Sequence, residues 1–180
     1  MSAAGSSLGV SHLVIMGVSG AGKSAVGRRV AERLGYVFAD ADDFHTSANV
    51  ARMTRGIALT DAERAPWLHA LAQWLAEQQA AGRHTVLACS ALKRAYRDVL
   101  RAAAPNLLFV HLAVPREVLL ERMRRRAHFM PASLLESQLA TLELLAADEP
   151  GFVLDAAADI ATVVARLLTR LAALGMQPAP

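Results

Sequence analysis

Residues 17–24 read Gly-Val-Ser-Gly-Ala-Gly-Lys-Ser, and this stretch decides the class of fold. It fits the pattern G-x-x-x-x-G-K-[ST] at every position, with Lys23 and Ser24 at its end. Its glycines allow backbone N–H groups to approach phosphate oxygens without Cβ clashes, and a helix that begins at its end adds partial positive charge. The stretch therefore predicts a loop that binds a nucleotide polyphosphate. In such a loop Lys23 reaches the β- and γ-phosphates and the Ser24 hydroxyl is a ligand of Mg²⁺.

Apolar runs and helical patterns alternate outward from this loop. Strands are predicted at residues 12–16, 36–40, 85–89, 107–112 and 152–155. Helices are predicted at 23–34, 93–104 and 115–124, and apolar residues at helical spacing mark three more within 67–75, 135–142 and 160–171. A capping box is predicted at Ser133 and Glu136. Strands separated by helices indicate an α/β domain, residues 1–180, whose parallel sheet is covered on both faces and binds ligands beyond its carboxyl edge.

Composition narrows the class of protein. Of 180 residues, 54% are apolar, which excludes a disordered chain. A single cysteine, Cys89, excludes an internal disulfide and is expected to be a small buried side chain, the alternative being a reactive thiol. Residues 1–10 are small and polar, so we expect a flexible leader without signal-peptide features, a cytoplasmic location and no membrane partner.

An acidic segment, Asp40-Ala-Asp42-Asp43-Phe-His45, directly follows the second predicted strand. Strand alternation would place Asp40 and Asp42 on the same side, where one could hold a metal-bound water and the other accept the proton of an attacking hydroxyl. The alternative is a solvated acidic loop or a helix cap. His45 is either a neutral hydrogen-bond partner for a polyol or a loop histidine with local partners.

Three cations follow that could bind an anionic substrate. Arg64 could grip a carboxylate with two hydrogen bonds, or lie on a helix surface with a solvated head. Lys93 stands at a predicted helix N-terminus, an unfavourable place for a cation, which favours an anion opposite it over a plain surface charge. Arg97 could bind substrate or pair with Asp98 or Glu121.

A cluster of arginines at positions 122, 124, 125 and 126 allows three interpretations. It could form a mobile lid, at about residues 122–131, that closes over phosphates and excludes water. It could instead be a solvated helix face or a nucleic-acid patch. A net charge of only +3 and 5% aromatic residues argue against nucleic acid. His128 could position the lid or simply pack.

These blocks together resemble the gluconokinase family, over residues 14–149. The resemblance rests on the phosphate loop, D-x-D-x-x-H at 40–45, the block from Asn49 to Leu68, C-S-A-L-K-R-x-Y-R-D at 89–98, H-F-M-P at 128–131, and S-Q-x-x-x-L-E at 137–143. It implies a three-layer P-loop kinase fold related to shikimate kinase, with a five-stranded parallel sheet and a mobile lid. It also implies a homodimer that uses Mg-ATP to phosphorylate the terminal hydroxyl of D-gluconate.

The resemblance also implies roles for individual residues. The catalytic residues would be Lys23, Asp42 and Arg125. The nucleotide would be held by Gly17, Val18, Ser19, Gly20, Ala21, Gly22, Lys23, Ser24 and Arg125, and the metal by Ser24 and Asp40. The substrate would be held by Asp42, His45, Arg52, Arg64, Ser90, Lys93 and Arg97.

The chain departs from the family pattern at a few positions. Alanines stand at 21 and 25 where Ser and Thr are common, Arg52 replaces a lysine, and Glu63 replaces an aspartate. Ala127 replaces a glycine, and Leu144 a proline. Residues 121–128 are one residue short, which leaves Arg125 and Arg126 both open as the lid arginine; we assign it to Arg125.

Three rival functions stay open at this point. The first is a kinase of the same architecture for shikimate, a nucleotide or another sugar acid. The second is a regulatory nucleotide-binding module without an acceptor. The third is a nucleic-acid-dependent ATPase.

Overall fold

Strands and helices alternate along the parts of the chain that the computed structural model describes, residues 9–125, 133–176 and 178. In chain order they are β1 (His12–Met16), α1 (Lys23–Leu34), β2 (Val37–Asp40), a 3₁₀ helix (Ala41–Phe44), α2 (Ser47–Thr54), α3 (Asp61–Ala80), β3 (Thr85–Ala88), α4 (Arg94–Ala103), β4 (Leu107–Ala113), α5 (Arg116–Arg125), α6 (Ser133–Thr141), β5 (Gly151–Asp155) and α7 (Ile160–Ala173). Within these described ranges, no helix is both long enough and apolar enough to cross a bilayer.

The five strands form one parallel sheet in the order β2-β3-β1-β4-β5. Successive residues of β1 face opposite sides: Ile15 packs in an apolar cluster with α1 and α7, and Val14 in a second cluster with α3 and α4. The sheet is therefore the middle of three layers, and the predicted α/β class is confirmed. Strands β2 and β3 lie on one side of β1, and strands β4 and β5 lie on the other. The connections that leave the carboxyl end of β1 and of its neighbours therefore diverge, and a crevice forms at that edge of the sheet.

Helix α3 begins six residues before the predicted apolar stripe at Trp67. Thr60 and Glu63 form a reciprocal capping box: the Glu63 amide donates to the Thr60 hydroxyl at 3.2 Å, and the Thr60 amide donates to the Glu63 carboxylate at 2.8 Å. At the second capping box, predicted for Ser133 and Glu136, α6 begins at Ser133 and the carboxylate of Glu136 accepts from Arg116 of α5, and the capping itself stays a prediction.

A buried ion pair joins α4 to the turn before β5. Arg97 Nε lies 2.6 Å from Glu149 Oε1 and Arg97 Nη2 lies 2.9 Å from Oε2, and both side chains are fully buried. The prediction that Arg97 binds substrate is wrong, as are the two surface pairings considered for it. Glu149, distant in sequence, is its partner.

The same guanidinium holds a strained turn beside the carboxyl edge of β3. Arg97 Nη1 donates to the carbonyls of Ala91 at 3.0 Å and Glu143 at 3.1 Å. Ala91 has a φ of 44°, in the left-handed region that alanine rarely occupies. Arg97 therefore fixes the backbone next to Ser90, although it lies behind the cleft and does not line it.

We predict that Arg97→Met lowers the free energy of unfolding by about 3–5 kcal/mol, because the Glu149 carboxylate stays buried without its counter-ion. Urea unfolding of the purified protein measures the change. The matched control is Arg94→Met on the same helix, which removes an exposed pair with Asp148 and is expected to cost far less. Equal effects of the two substitutions would contradict a structural role for the buried pair.

Candidate active site

The phosphate loop connects the carboxyl end of β1 to the N-terminus of α1. Gly17 has a φ of 146°, and a Cβ there would lie 3.1 Å from the carbonyl oxygen of Leu112. Gly22 is the N-cap of α1 in the left-handed conformation, with a φ of 94°. Within the described chain no side chain caps the first turn of α1, and that turn holds no acidic residue. Its N–H groups therefore present an anion site that suits phosphate oxygens.

Lys23 folds back over this loop. Its Nζ donates to the carbonyl of Val18 at 2.9 Å. Burial lowers the pKa of Lys23, while the neighbouring carboxylates of Asp42 and Asp40 act in the opposite direction. A partly buried ammonium beside a carbonyl and carboxylates is suited to receive an anionic ligand.

Asp40 joins the phosphate loop to the acidic segment. Ser24 Oγ donates to Asp40 Oδ2 at 2.5 Å, and the backbone N–H of Asp42 donates to Asp40 Oδ1 at 3.0 Å. Asp42 lies beyond the end of β2, in the 3₁₀ helix that Asp40 caps. The expected strand alternation is therefore the wrong reason for their proximity: a tight turn, and not the pleat, brings both carboxylates to the same cleft.

Asp42 has the environment of a general base. Its pKa is raised to about 6, mainly by burial; the charge of Lys23 acts to lower it, and the carboxylates of Asp40 and Asp43 act to raise it. Such a carboxylate is still mainly ionised at neutral pH, yet it binds a proton more strongly than an ordinary aspartate does. Perturbed carboxyl groups in clefts often belong to catalytic sites.

His45 is fixed in the cleft as a neutral ring. Its imidazole stacks on the indole of Trp67, with centroids 4.5 Å apart and an interplanar angle of 8°. The indole is itself held by a 2.7 Å hydrogen bond from Trp67 Nε1 to the carbonyl of Ala41. Burial lowers the pKa of His45 to about 4, and the charge of Arg64 acts in the same direction. His45 can therefore donate or accept a hydrogen bond near neutral pH without carrying charge.

One cleft brings together most of the side chains that the sequence predicted. Its wall includes the predicted residues Ser19, Gly20, Gly22, Lys23, Ser24, Asp40, Asp42, His45, Arg64 and Ser90. The loop after β3 is tied to the phosphate loop, because the Gly17 N–H donates to the carbonyl of Ser90 at 3.3 Å. Gly17, Val18 and Ala21 belong to the loop but do not line the cleft. Cys89 also lies on the wall, and burial raises the pKa of its thiol to about 12, which fits an inert side chain.

Two of the predicted substrate cations are held away from the cleft wall by acidic residues of α3. Arg52 Nε lies 3.1 Å from the Glu63 carboxylate, and Lys93 Nζ lies 2.9 Å from Asp61. Hydrogen bonds from Tyr96 and then Lys93 lower the pKa of Asp61. Neither Arg52 nor Lys93 lines the cleft as Arg64 does, and a direct contact of either with an acceptor stays a prediction.

The arginines of α5 point in different directions. Arg125 is exposed and pairs with Glu121 one turn earlier, so the structure does not place it at the cleft. Arg122 lines the cleft instead, and its Nη2 donates to the carbonyls of Ala156 at 2.9 Å and Ala158 at 3.0 Å. Arg126, His128 and the rest of the predicted lid up to residue 131 lie outside the described residues.

Sequence reasoning gave no individual role to two residues on the wall, Arg122, which it named only within the arginine cluster, and Gln138. A signal for Arg122 is its helical spacing from Leu119, three residues earlier and fully buried. Gln138 was noticed only as part of a family block. Its 2.7 Å contact with the backbone of Ser19 spans 119 positions and leaves no pattern in the sequence.

Comparisons with known proteins agree with this arrangement. A family model described as an AAA domain matches residues 13–145. The chain is 53% identical over 139 residues to a gluconokinase of Gluconobacter oxydans, covering 77% of this chain and 78% of that one. It is 42% identical over 171 residues to a probable gluconokinase of Xenopus tropicalis, covering 86% and 90%.

Solved structures give the same grouping. A sugar kinase from Janibacter superposes with a TM-score of 0.87 at 50% identity, covering 94% of this chain and 99% of the other. A gluconokinase from Sinorhizobium meliloti gives a TM-score of 0.82 at 46% identity, covering 91% and 92%. A shikimate kinase from Aquifex aeolicus, at a TM-score of 0.58 and 19% identity over 91% and 98% of the two chains, shares the fold alone.

We predict that Asp42→Asn stabilises the ligand-free protein at high pH. The folded-state pKa of about 6 is above the ordinary value of 3.8, so folding favours the protonated acid and the native carboxylate costs stability as pH rises through 6. Asparagine is never charged. Relative to its effect at pH 4, the substitution should gain about 1–3 kcal/mol at pH 8, measured by urea unfolding across that range.

Asp43→Asn is the control for that measurement. Asp43 neighbours Asp42 in the same 3₁₀ helix but is exposed. Its substitution should change stability little at either pH. If the effect of Asp42→Asn on the free energy of unfolding is the same at pH 4 and pH 8, the pKa of Asp42 is not raised by folding.

Proposed function

The chain belongs to the gluconokinase family, and from that membership we propose that it transfers the γ-phosphoryl group of ATP to the 6-hydroxyl of D-gluconate. The products are 6-phospho-D-gluconate and ADP. The observation that carries the proposal is the meeting, in one cleft, of an anion-binding phosphate loop with a carboxylate of raised pKa. The loop binds the donor, and the carboxylate faces the place where a hydroxyl acceptor must lie.

The nucleotide is held mainly by backbone and by one lysine. The N–H groups at the start of α1 take the phosphate oxygens, and Lys23 turns from the Val18 carbonyl toward the β- and γ-phosphates. Arg122, on the same cleft wall, adds a second positive charge. Phosphoryl transfer needs little covalent chemistry from the protein, so this placement and charge do most of the work.

The oxygen donors beside the loop fit Mg²⁺. Ser24 Oγ and the Asp40 carboxylate are hard oxygen ligands held against each other, and Mg²⁺ usually takes one or two such groups together with phosphates and water. Among the described residues no cluster of three or more His, Cys, Asp or Glu side chains could hold a metal. We expect Ser24 to bind the ion and Asp40 to orient its water ligands. When bound, the ion neutralises charge on the transferring phosphoryl group.

The acceptor is oriented by three side chains with different chemistry. Asp42 accepts the proton of the attacking hydroxyl, and the neutral ring of His45 hydrogen-bonds a neighbouring hydroxyl. Arg64 lines the same cleft and its guanidinium lies 5.8 Å from the ring centroid of Tyr96. A guanidinium matches the two oxygens of a carboxylate, so Arg64 is the residue that selects a sugar acid over a neutral sugar.

Location and assembly follow the family resemblance. We expect a cytoplasmic enzyme that acts as a homodimer and has neither nucleic acid nor membrane as a partner. Light scattering on the purified protein at micromolar concentration measures the assembly directly.

An acceptor panel tests the function. Coupled ADP release with Mg-ATP is measured with D-gluconate, shikimate, glucose, other sugar acids, AMP and no acceptor. We expect turnover that depends on gluconate, and Asp42→Asn should lower kcat by about 10²- to 10⁴-fold while ATP binding is kept. Preference for another acceptor, or turnover without any, would refute the assignment, and wild-type turnover of Asp42→Asn would remove that residue from its role.

Arg64 should determine recognition of the carboxylate. Arg64→Leu is expected to raise the KM for gluconate by about 10- to 100-fold and leave the KM for ATP near its wild-type value, because a charge-assisted hydrogen-bond pair is lost. Arg55→Leu is the control, since Arg55 is an exposed arginine at the end of α2. If both variants keep the wild-type KM for gluconate, another group binds the carboxylate.

A further inference from the structure

A glutamine side chain occupies one of the N–H groups of the phosphate loop. Gln138 Oε1 accepts a hydrogen bond from the backbone N–H of Ser19 at 2.7 Å. Ser19 is almost fully buried, so this donor is sheltered from solvent. Backbone N–H groups of such loops are the donors that phosphate oxygens use. Ser19 and Gln138 both line the cleft, so a nucleotide phosphate that took the Ser19 N–H would have to displace the glutamine oxygen.

The helix that carries Gln138 also touches the acceptor side of the cleft. Leu134, one turn earlier on α6, packs with Met53 of α2 and with Leu59 in a small apolar cluster separate from the two main clusters. Met53, Leu59 and Leu134 line the cleft together with Gln138. A shift of α6 would thus move the wall on which the acceptor lies, because Leu134 packs tightly against α2.

We infer that Gln138 is a positioning residue that links occupancy of the phosphate loop to the shape of the acceptor wall. In the nucleotide-free enzyme its amide holds α6 against Ser19. A phosphate oxygen carries charge and is the stronger acceptor, so nucleotide displaces the amide and releases α6 from the loop. The inference rests on the proposed function, since it assumes a phosphate donor on this loop and an acceptor beside α2.

Two properties follow from this competition. Nucleotide must break the Gln138 contact in order to bind, so a variant without the amide oxygen should bind nucleotide more tightly. The state of α6 should also make ADP and gluconate change each other's affinity by the same factor, as linkage requires. A glutamine that merely supports the fold predicts neither property.

Two substitutions with opposite expected effects test the inference. Gln138→Met keeps the length of the side chain but has no amide oxygen, and we expect ADP to bind about three- to tenfold more tightly than to the wild type. Gln138→Glu keeps the shape, accepts more strongly from Ser19 and repels phosphate, and we expect at least about tenfold weaker binding. Isothermal titration with ADP, without any acceptor, measures both.

The controls are Gln73→Met and Gln73→Glu, at an exposed glutamine of α3 that bonds to Glu77. They change size and charge in the same way far from the loop and should leave ADP affinity as in the wild type. Circular dichroism checks that each variant is folded, and the isosteric Gln138→Glu keeps the test open should Gln138→Met not fold.

The titrations are repeated with saturating gluconate to measure coupling. The ratio of ADP affinities with and without gluconate should move toward one in Gln138→Met. Unchanged or weaker ADP binding by Gln138→Met would overturn the competition, and an unchanged ratio would overturn the link to the acceptor wall. The ADP titration needs no acceptor, so an enzyme that ignores gluconate would refute the proposed substrate and leave the competition to be decided on its own result.

Discussion

The start of α1 presents backbone N–H groups that no side chain of the described chain caps, and the rest of the site is arranged around this anion-binding end. It is placed by the central strand β1, whose carboxyl end opens into the phosphate loop between β3 and β4. Buried donors without an anion are costly, and helix N-termini attract negative charge. Asp40 and Asp42 approach from β2, and α6 approaches from the other end of the chain, so that donor and acceptor sides meet at one point.

The electrostatics of the cleft suit an anionic donor and a hydroxyl acceptor. Burial lowers the pKa of Lys23 and raises that of Asp42, and each group's charge opposes the shift of the other. Phosphates would satisfy the lysine, while a hydroxyl near Asp42 would use its increased basicity. The protein thus holds unfavourable charge where catalysis needs it, and stability is supplied elsewhere, by the apolar clusters and by the buried Arg97–Glu149 pair.

Local patterns in the sequence were sufficient for the fold class and for the donor side. The phosphate loop is a contiguous motif, and the strands were predicted to within about a residue at each end, whereas α3 extends five to six residues beyond its predicted apolar stripe at each end. The acceptor side was harder. Asp42 lies in the cleft because the chain forms a 3₁₀ helix there, and His45 is held in the cleft by stacking on Trp67. Residue spacing in the sequence indicates neither feature.

Long-range partners were beyond a single sequence. The family resemblance assigned Arg97 to substrate, yet it is fully buried and paired with Glu149, 52 positions away. The inward direction of Arg122 depends on carbonyls that follow β5, and the Gln138 contact depends on how α6 packs. Such pairings depend on tertiary packing and cannot be read from local composition or periodicity.

The most direct test of the account is the position of the transferred phosphate, observed by ³¹P and ¹³C NMR of a complete reaction with Mg-ATP and gluconate. The account predicts one phosphomonoester per ADP formed, coupled to the methylene protons at C6. Inorganic phosphate as the sole phosphorus product besides ADP would mean that no acceptor hydroxyl reaches Asp42. An ester at another carbon would mean that Arg64 and His45 do not orient the sugar acid as described.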